Sequence, residues 1–250
     1  MTKKKLYGLI GQPLGHSFSK DFFGGFFAEK KIDAEYRNFE LPDIGDLMEL
    51  LSEYPELEGL NVTSPYKLAV LPYCDALTEE ARETGAVNCM KIEHSGDDLR
   101  ITGHNTDCGG FSSDIMPFIS DGENKEALVL GTGGASRAII KALGDAFIKV
   151  RTVSRTQGQG DLTYEELTDA IVARASVIVN CTPLGMHPRE NECPPFPYDY
   201  VKPAQLCYDL IYNPCPTLFM NECARRGAAV KGGLGMLINQ ALLSWKFWNS

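Results

Sequence analysis

The 250-residue sequence lacks the features that mark several protein classes. No apolar run approaches the roughly 20 residues a membrane-spanning helix needs. No polybasic run offsets 33 Asp and Glu against 24 Lys and Arg, a formal net charge of -9. That balance makes nucleic acid and anionic membranes poor partners. None of the eight cysteines forms a CxxC pair, and the four histidines do not cluster with them. Structural zinc is therefore not expected. The apolar run after the first lysines is ended by Gly11, Gln12 and Pro13, too soon for a secretion signal. The expectation is a cytoplasmic protein with reduced thiols. There is no internal repeat and no low-complexity tract.

What remains is ordinary globular composition, 44% hydrophobic and 23% charged, in a length that suits two modest domains. The first hundred residues alternate strand-like and helix-like segments. KLYGLIG, AEYRNFEL and LEGLNVT read as strands, with a helix from Lys20 to Lys31 between the first two. Phe22, Phe23, Phe26 and Phe27 recur there at helical spacing and read as packing residues. A second helix starts at Asp43, and a third is capped by Thr78. AVNCMKIEH and DLRITG read as a strand pair about the turn Ser95-Gly96-Asp97. After Asp107 the pattern changes. A connecting helix from Cys108 to Ile119 leads to ALVLGTGGASRAIIKAL, and the strands VRTV, ASVIVNCT and LCYDLIY follow. This is the rhythm of a parallel sheet with helices on its faces. PRENECPPFPYDYVKP reads as a surface loop, and Met236 to Trp248 as an apolar helix whose tryptophans, Trp245 and Trp248, belong in the core.

Gly131-Thr132-Gly133-Gly134-Ala135-Ser136 follows a strand and opens a helix, the context a dinucleotide fingerprint requires. Gly131 permits the tight turn and Gly133 lets backbone approach a pyrophosphate. The helix amino terminus offers unpaired N–H groups to the anion. The next strand ends at Ser154-Arg155-Thr156, where an NAD site usually carries an acid. Two hydroxyls and a guanidinium suit a 2′-phosphate instead, so the pattern favours NADP. Two further polar segments leave strands: Asn61-Val62-Thr63-Ser64-Pro65-Tyr66-Lys67, read as entering a proline-started helix, and Gly103-His104-Asn105-Thr106-Asp107. Strand ends facing a cofactor are where polar chemistry is expected in α/β folds. Taken singly, Lys67 would be a solvated lysine and Asp107 a helix cap.

Together these segments resemble the shikimate dehydrogenase family nearly end to end. The motifs are GQPLGHSFS near the start, NVTSPYK, GAVN, GHNTD, GTGGASRA, SRT, NCTPLGM, YDLIYNP and GGLGMLINQA, in that order. The resemblance implies an α/β protein of two domains. Residues 1-105 plus 236-250 would form the substrate domain on a mostly parallel sheet, and 106-235 a Rossmann-type NADP-binding domain on a parallel sheet. It implies reduction of 3-dehydroshikimate to shikimate with NADP(H); the sequence leaves monomer or homodimer open. Ser17 and Ser19 match the pair that holds the substrate carboxylate. Thr63, Lys67, Asn88, Asp107 and Gln240 match positions around the ring hydroxyls and the reacting carbon, Tyr212 a substrate-side tyrosine, and Asn61 a supporting position. Gly131, Thr132, Gly133, Gly134 and Ala135 match the phosphate loop, and Ser154, Arg155 and Thr156 the 2′-phosphate clamp. Thr182 ends the next cofactor strand, while Leu210, Gly233 and Met236 match positions near the nicotinamide.

The alkoxide formed on reduction needs a proton donor, and a neighbouring carboxylate favours the ammonium form of a lysine. Lys67 is thus a candidate donor with Asp107 as orienter. The opposite assignment, Asp107 carrying the proton and Lys67 binding, stays open. Several departures stand out. Gln157-Gly158-Gln159-Gly160 holds no second base beyond Arg155, Ser154 replaces the family's usual Asn, and Phe18 and Lys20 replace common neighbours of the two serines. The alternatives are a quinate/shikimate dehydrogenase using NAD, a dehydrogenase for another hydroxylated acid, and a non-catalytic ligand and cofactor sensor of the same fold.

Overall fold

The structure, a computed structural model, describes residues 4–15, 18–96, 98–119 and 125–250. Ser17, Asp97 and residues 121–124 of the polar turn lie outside the described residues. The chain forms two compact units, Met1–Thr106 with Ala241–Ser250, and Asp107–Gln240.

The first unit carries β1 (Lys5–Gly11), α1 (Phe18–Lys30), β2 (Ala34–Glu40), α2 (Leu47–Glu53), β3 (Leu57–Val62), β4 (Ala76–Leu77), α3 (Glu79–Thr84), β5 (Cys89–Ser95) and β6 (Asp98–His104). Its sheet has the order β2-β1-β3-β5-β6-β4. β1 is parallel to β2 and β3, β5 is antiparallel to both β3 and β6, and β4 is parallel to β6. β1 is buried along nearly its whole length, as expected of a strand inside a two-faced sheet. On one face Leu47, Leu57, Leu60 and Met90 are fully enclosed. On the other, Phe23 and Phe27 of α1 pack with Tyr7, Tyr36 and Trp248, so the phenylalanine stripe is core.

The second unit carries α4 (Asp107–Ile115), β7 (Glu126–Leu130), α5 (Gly134–Asp145), β8 (Lys149–Ser154), β9 (Leu162–Thr163), α6 (Asp169–Arg174), β10 (Ala175–Asn180), β11 (Leu206–Asp209), α7 (Leu218–Ala224), β12 (Ala229–Gly232) and the start of α8 (Leu234–Trp248). Its sheet, β12-β11-β10-β7-β8-β9, is parallel throughout. β7 and β10 are almost continuously buried, and helices cover both faces of the sheet. Among the described residues no helix is long and apolar enough to cross a membrane.

Two local expectations need correction. The segment after β3 is a run of turns rather than a proline-started α-helix. The Lys67 carbonyl accepts the Val87 N–H at 2.8 Å, and the Leu71 N–H turns to Leu68, so the i to i−4 ladder is interrupted. The proline-rich stretch is also more than a surface loop. It folds into a 3-10 turn at Tyr198–Tyr200 and buries Phe196 and Val201 against the sheet.

Candidate active site

Parallel order places polar strand ends of the first unit at one edge. β1 and β3 point the same way, and β5 begins where β3 ends, because Asn61 pairs with Cys89. β6 returns to that edge, with His104 opposite Cys89. The start of α1, the residues after β3, the start of β5 and the end of β6 therefore share one rim. Ser19, Asn61, Thr63, Lys67 and Asn88 all belong to this set.

A buried polar network holds the rim. The Tyr36 hydroxyl donates to Asn61 Oδ1 at 2.9 Å, and Asn61 Nδ2 donates to Ser244 Oγ at 2.8 Å and to the Asn88 carbonyl at 3.3 Å. Asn88 Oδ1 accepts the Thr106 N–H at 2.7 Å, and its Nδ2 donates to the Thr106 hydroxyl at 2.9 Å. Ser244 and Thr106 share a hydrogen bond of 3.3 Å. Burial raises the Tyr36 hydroxyl well above the ordinary tyrosine range, against a smaller opposing effect of the Ser19 hydroxyl. Asn61 thus works inside the unit as a brace. Ser19 is buried in α1, while Thr63 and Lys67 are half-buried just beyond β3. The Thr63 N–H donates to the Ile10 carbonyl at 2.9 Å, tying this turn to the end of β1.

In the second unit every strand points one way, so the ends of β7, β8, β10, β11 and β12 form a single edge. It carries Gly131, Ser154–Thr156, Thr182, Leu210 and Gly233. Gly131 adopts a φ of +101°, with Thr182 close behind it, and its N–H donates to the Val153 carbonyl at 2.8 Å. A side chain there would strain the turn that aims the chain into α5. Gly133 caps α5 without a side-chain hydrogen bond, leaving the helix end open to an anion. Thr132 and Gly133 are exposed, Gly134 and Ala135 half-buried. Ser136 is buried and bonds the Gly133 carbonyl at 2.6 Å, so it suits close packing in place of a third glycine.

At the end of β8, the buried Ser154 hydroxyl accepts the Thr156 N–H at 3.1 Å, and Arg155 and Thr156 are exposed beside it. Hydroxyl, guanidinium and hydroxyl present donors and no carboxylate, which fits a 2′-phosphate. Thr182 is held by Asn180, whose Oδ1 accepts both its N–H at 3.0 Å and its hydroxyl at 2.7 Å. The Leu210 N–H bonds the Asn180 carbonyl at 3.1 Å, and the Gly233 N–H bonds the Ile211 carbonyl at the same distance. Met236 is buried in α8. Tyr212 is half-buried, and its burial raises the phenol. Asp107, 5% exposed, opens α4, and Gln240, 8% exposed, lies in α8 with its Nε2 donating to the Leu237 carbonyl at 2.9 Å. Among the described residues no group of three or more His, Cys, Asp or Glu is placed to hold a metal ion.

Sequence reasoning missed Tyr36, Ser244 and Thr217, which no motif signals. It also passed over Asn180 and Asp209, although both sit inside quoted motifs, NCTPLGM and YDLIYNP.

Residues 9–90 match the family model for the shikimate dehydrogenase substrate binding domain. A shikimate dehydrogenase (NADP(+)) of Shouchella clausii is 33% identical, over 99% of this chain and 93% of that protein. The crystal structure of shikimate dehydrogenase from Aquifex aeolicus superposes with a TM-score of 0.87 at 31% identity, covering 100% of this chain and 94% of that one. The shikimate 5-dehydrogenase of Thermus thermophilus, solved with NADP(H) and shikimate, gives 0.85 at 28% identity, covering 98% and 93%.

Proposed function

The chain belongs to the shikimate dehydrogenase family, and from that premise we propose that it catalyses the reversible reduction of 3-dehydroshikimate to shikimate with NADPH, a step of aromatic amino-acid biosynthesis. The observation that carries the reading is the donor set on the edge of the second sheet. An open helix end at α5 stands beside a strand end offering Ser154, Arg155 and Thr156 instead of an acid.

The cofactor, when bound, supplies the hydride. The protein's own residues bind, orient and manage one proton. Gly131, Thr132, Gly133, Gly134 and Ala135 would hold the pyrophosphate, and Ser154, Arg155 and Thr156 the 2′-phosphate. Thr182, Leu210, Gly233 and Met236 would meet the nicotinamide half. Ser19, with Ser17, would take the substrate carboxylate, and Thr63, Asn88, Tyr212 and Gln240 the ring hydroxyls, on a rim that Asn61 braces. Lys67 delivers the proton to the forming alkoxide and Asp107 orients the hydroxyl. Of the residues given a substrate role, Ser17, Ser19, Asn61, Thr63, Lys67 and Asn88 lie in Met1–Thr106, while Asp107, Tyr212 and Gln240 lie with the cofactor residues in Asp107–Gln240. The eight cysteines form no disulfide among the described residues, which supports a reducing, cytoplasmic setting.

The test is a crossed assay of shikimate and quinate, each with NADP+ and NAD+, following the reduced nicotinamide by absorbance. Turnover with shikimate and NADP+ alone is expected. Comparable turnover with quinate and NAD+ would reverse the cofactor assignment, and silence with all four pairs would reject an enzyme of this class.

A further inference from the structure

Asp209 is fully buried at the end of β11, and no role above uses it. Its Oδ1 accepts from Asn180 Nδ2 at 3.1 Å and from the Ile211 N–H at 3.0 Å, and its Oδ2 accepts from the Thr217 hydroxyl at 2.6 Å. All three donors are neutral. Two other shielded acids of this unit are treated differently. Glu126 meets the guanidinium groups of Arg174 and Arg151, and Asp114 meets the Lys231 ammonium at 3.1 Å. Dipoles disperse a buried negative charge without cancelling it, and such a charge is costly to keep. Burial accordingly pushes the Asp209 carboxyl upward from its usual range, with the three donors opposing.

The place of this charge is informative. β7, which leads into the glycine turn, lies between β8 and β10 in the sheet. A dinucleotide anchored by its phosphates at that turn spreads its halves to either side. The 2′-phosphate donors stand at β8, so the nicotinamide half falls to β10 and β11. That ring is cationic when oxidised and neutral when reduced.

We infer that Asp209 is the counter-charge to the oxidised nicotinamide, strengthening binding of NADP+ relative to NADPH. The inference rests on the functional reading above. The same carboxylate positions the edge, reaching Thr182 through Asn180 and Leu210 through the neighbouring Ile211 N–H. Charge and positioning separate by experiment. Asp209→Asn keeps shape and loses charge. Thr217→Val keeps the charge and removes one donor. Asp209→Asn combined with Thr217→Asp returns a carboxylate to the adjacent position, where Asp also suits the cap of α7.

Dissociation constants for NADP+ and NADPH are measured by calorimetry on each folded variant without substrate. Asp209→Asn is expected to weaken NADP+ about tenfold and to leave NADPH within about twofold. Thr217→Val should move both forms together, and the double variant should restore the original ratio. Equal effects on both forms in Asp209→Asn, or none, would overturn the counter-charge and leave a strut. If the single variant does not fold, the double variant decides, and an altered ratio there overturns the inference. Failure of the unmodified protein to bind either form would instead overturn the functional reading, and this inference with it.

Discussion

Gly110 sets the spacing of α4 against α8 inside the second unit. A Cβ built on it would stand 2.9 Å from Gln240 Cβ, and 3.0 Å from both the Gln240 nitrogen and the Met236 carbonyl oxygen. Ordinary carbon contacts lie near 3.5–4.0 Å, so Gly110→Ala must open the pair by about 0.5–1 Å. Two of the three atoms are backbone, and no rotamer change removes them. Two effects on stability oppose each other. Alanine in a helix interior gains about 0.8–1 kcal/mol over glycine, while overpacking costs about 1–3 kcal/mol. The expected net is a loss of roughly 0–2 kcal/mol, up to about 8 °C in melting temperature for a chain of this size. The catalytic effect should be larger. Asp107 lies one turn before Gly110 on α4, and Gln240 is the residue being pushed. A displacement near 1 Å costs about a hundredfold in a well-aligned site, so kcat/KM for shikimate should fall about ten- to a hundredfold. The Gly131 turn belongs to another segment, so the dissociation constant for NADP+ should rise less than kcat/KM falls, the displaced Met236 being the one cofactor-side residue that is pushed. Steady-state kinetics, calorimetry and thermal melting together check this. A variant that melts higher and keeps its kcat/KM would refute the close approach, as would a loss confined to cofactor binding.

Other outcomes follow from single contacts. Arg155→Ala should weaken NADP+ about ten- to a hundredfold while leaving NAD+ unchanged, because a hydrogen bond to a charged group contributes about 1.5–3 kcal/mol; equal effects on both would remove Arg155 from the 2′-phosphate site. Trp248 stacks on Tyr7 with centroids 4.8 Å apart, and its Nε1–H donates to the Met90 carbonyl at 3.0 Å. Trp248→Ala should therefore cost about 3–5 kcal/mol in urea unfolding, and a loss under 1 kcal/mol would show that the tail does not close this core. Burial lowers the His104 pKa below its ordinary 6.5, against a smaller opposing effect of Glu80. The unfolded chain then binds the extra proton first, so stability is full above pH 6.5 and declines as pH falls through the lowered folded value. His104→Gln should flatten that part of the pH-stability curve, and an unchanged slope would assign it to other groups.

Much of the second unit could be read from local signals. A strand, a glycine turn and a helix follow within a few residues of one another, and the φ of +101° at Gly131 is what such a turn demands. The longer strands of the first unit were legible from alternation and turn residues, unlike the two-residue β4, and Thr78 does cap α3. The segment at 64–70 was misread because proline suggested a helix start. The decisive bond there, from Val87 to the Lys67 carbonyl, comes from a distant residue. Helices α6 and α7 were missed because each is under two turns long and carries little periodicity.

The candidate site divides in the same way. Sequence alone determined the glycine turn at 131–135, the polar triplet at 154–156 and the polar strand ends, since each is a run of neighbouring residues whose backbone and side-chain chemistry is complete locally. Only the tertiary structure decided that Asn61 would find Ser244, 183 positions along the chain, and that Asp209 would gather Asn180 and Thr217. Those meetings depend on strand order and register, which are set by burial of whole faces and not by any residue's neighbours in the chain.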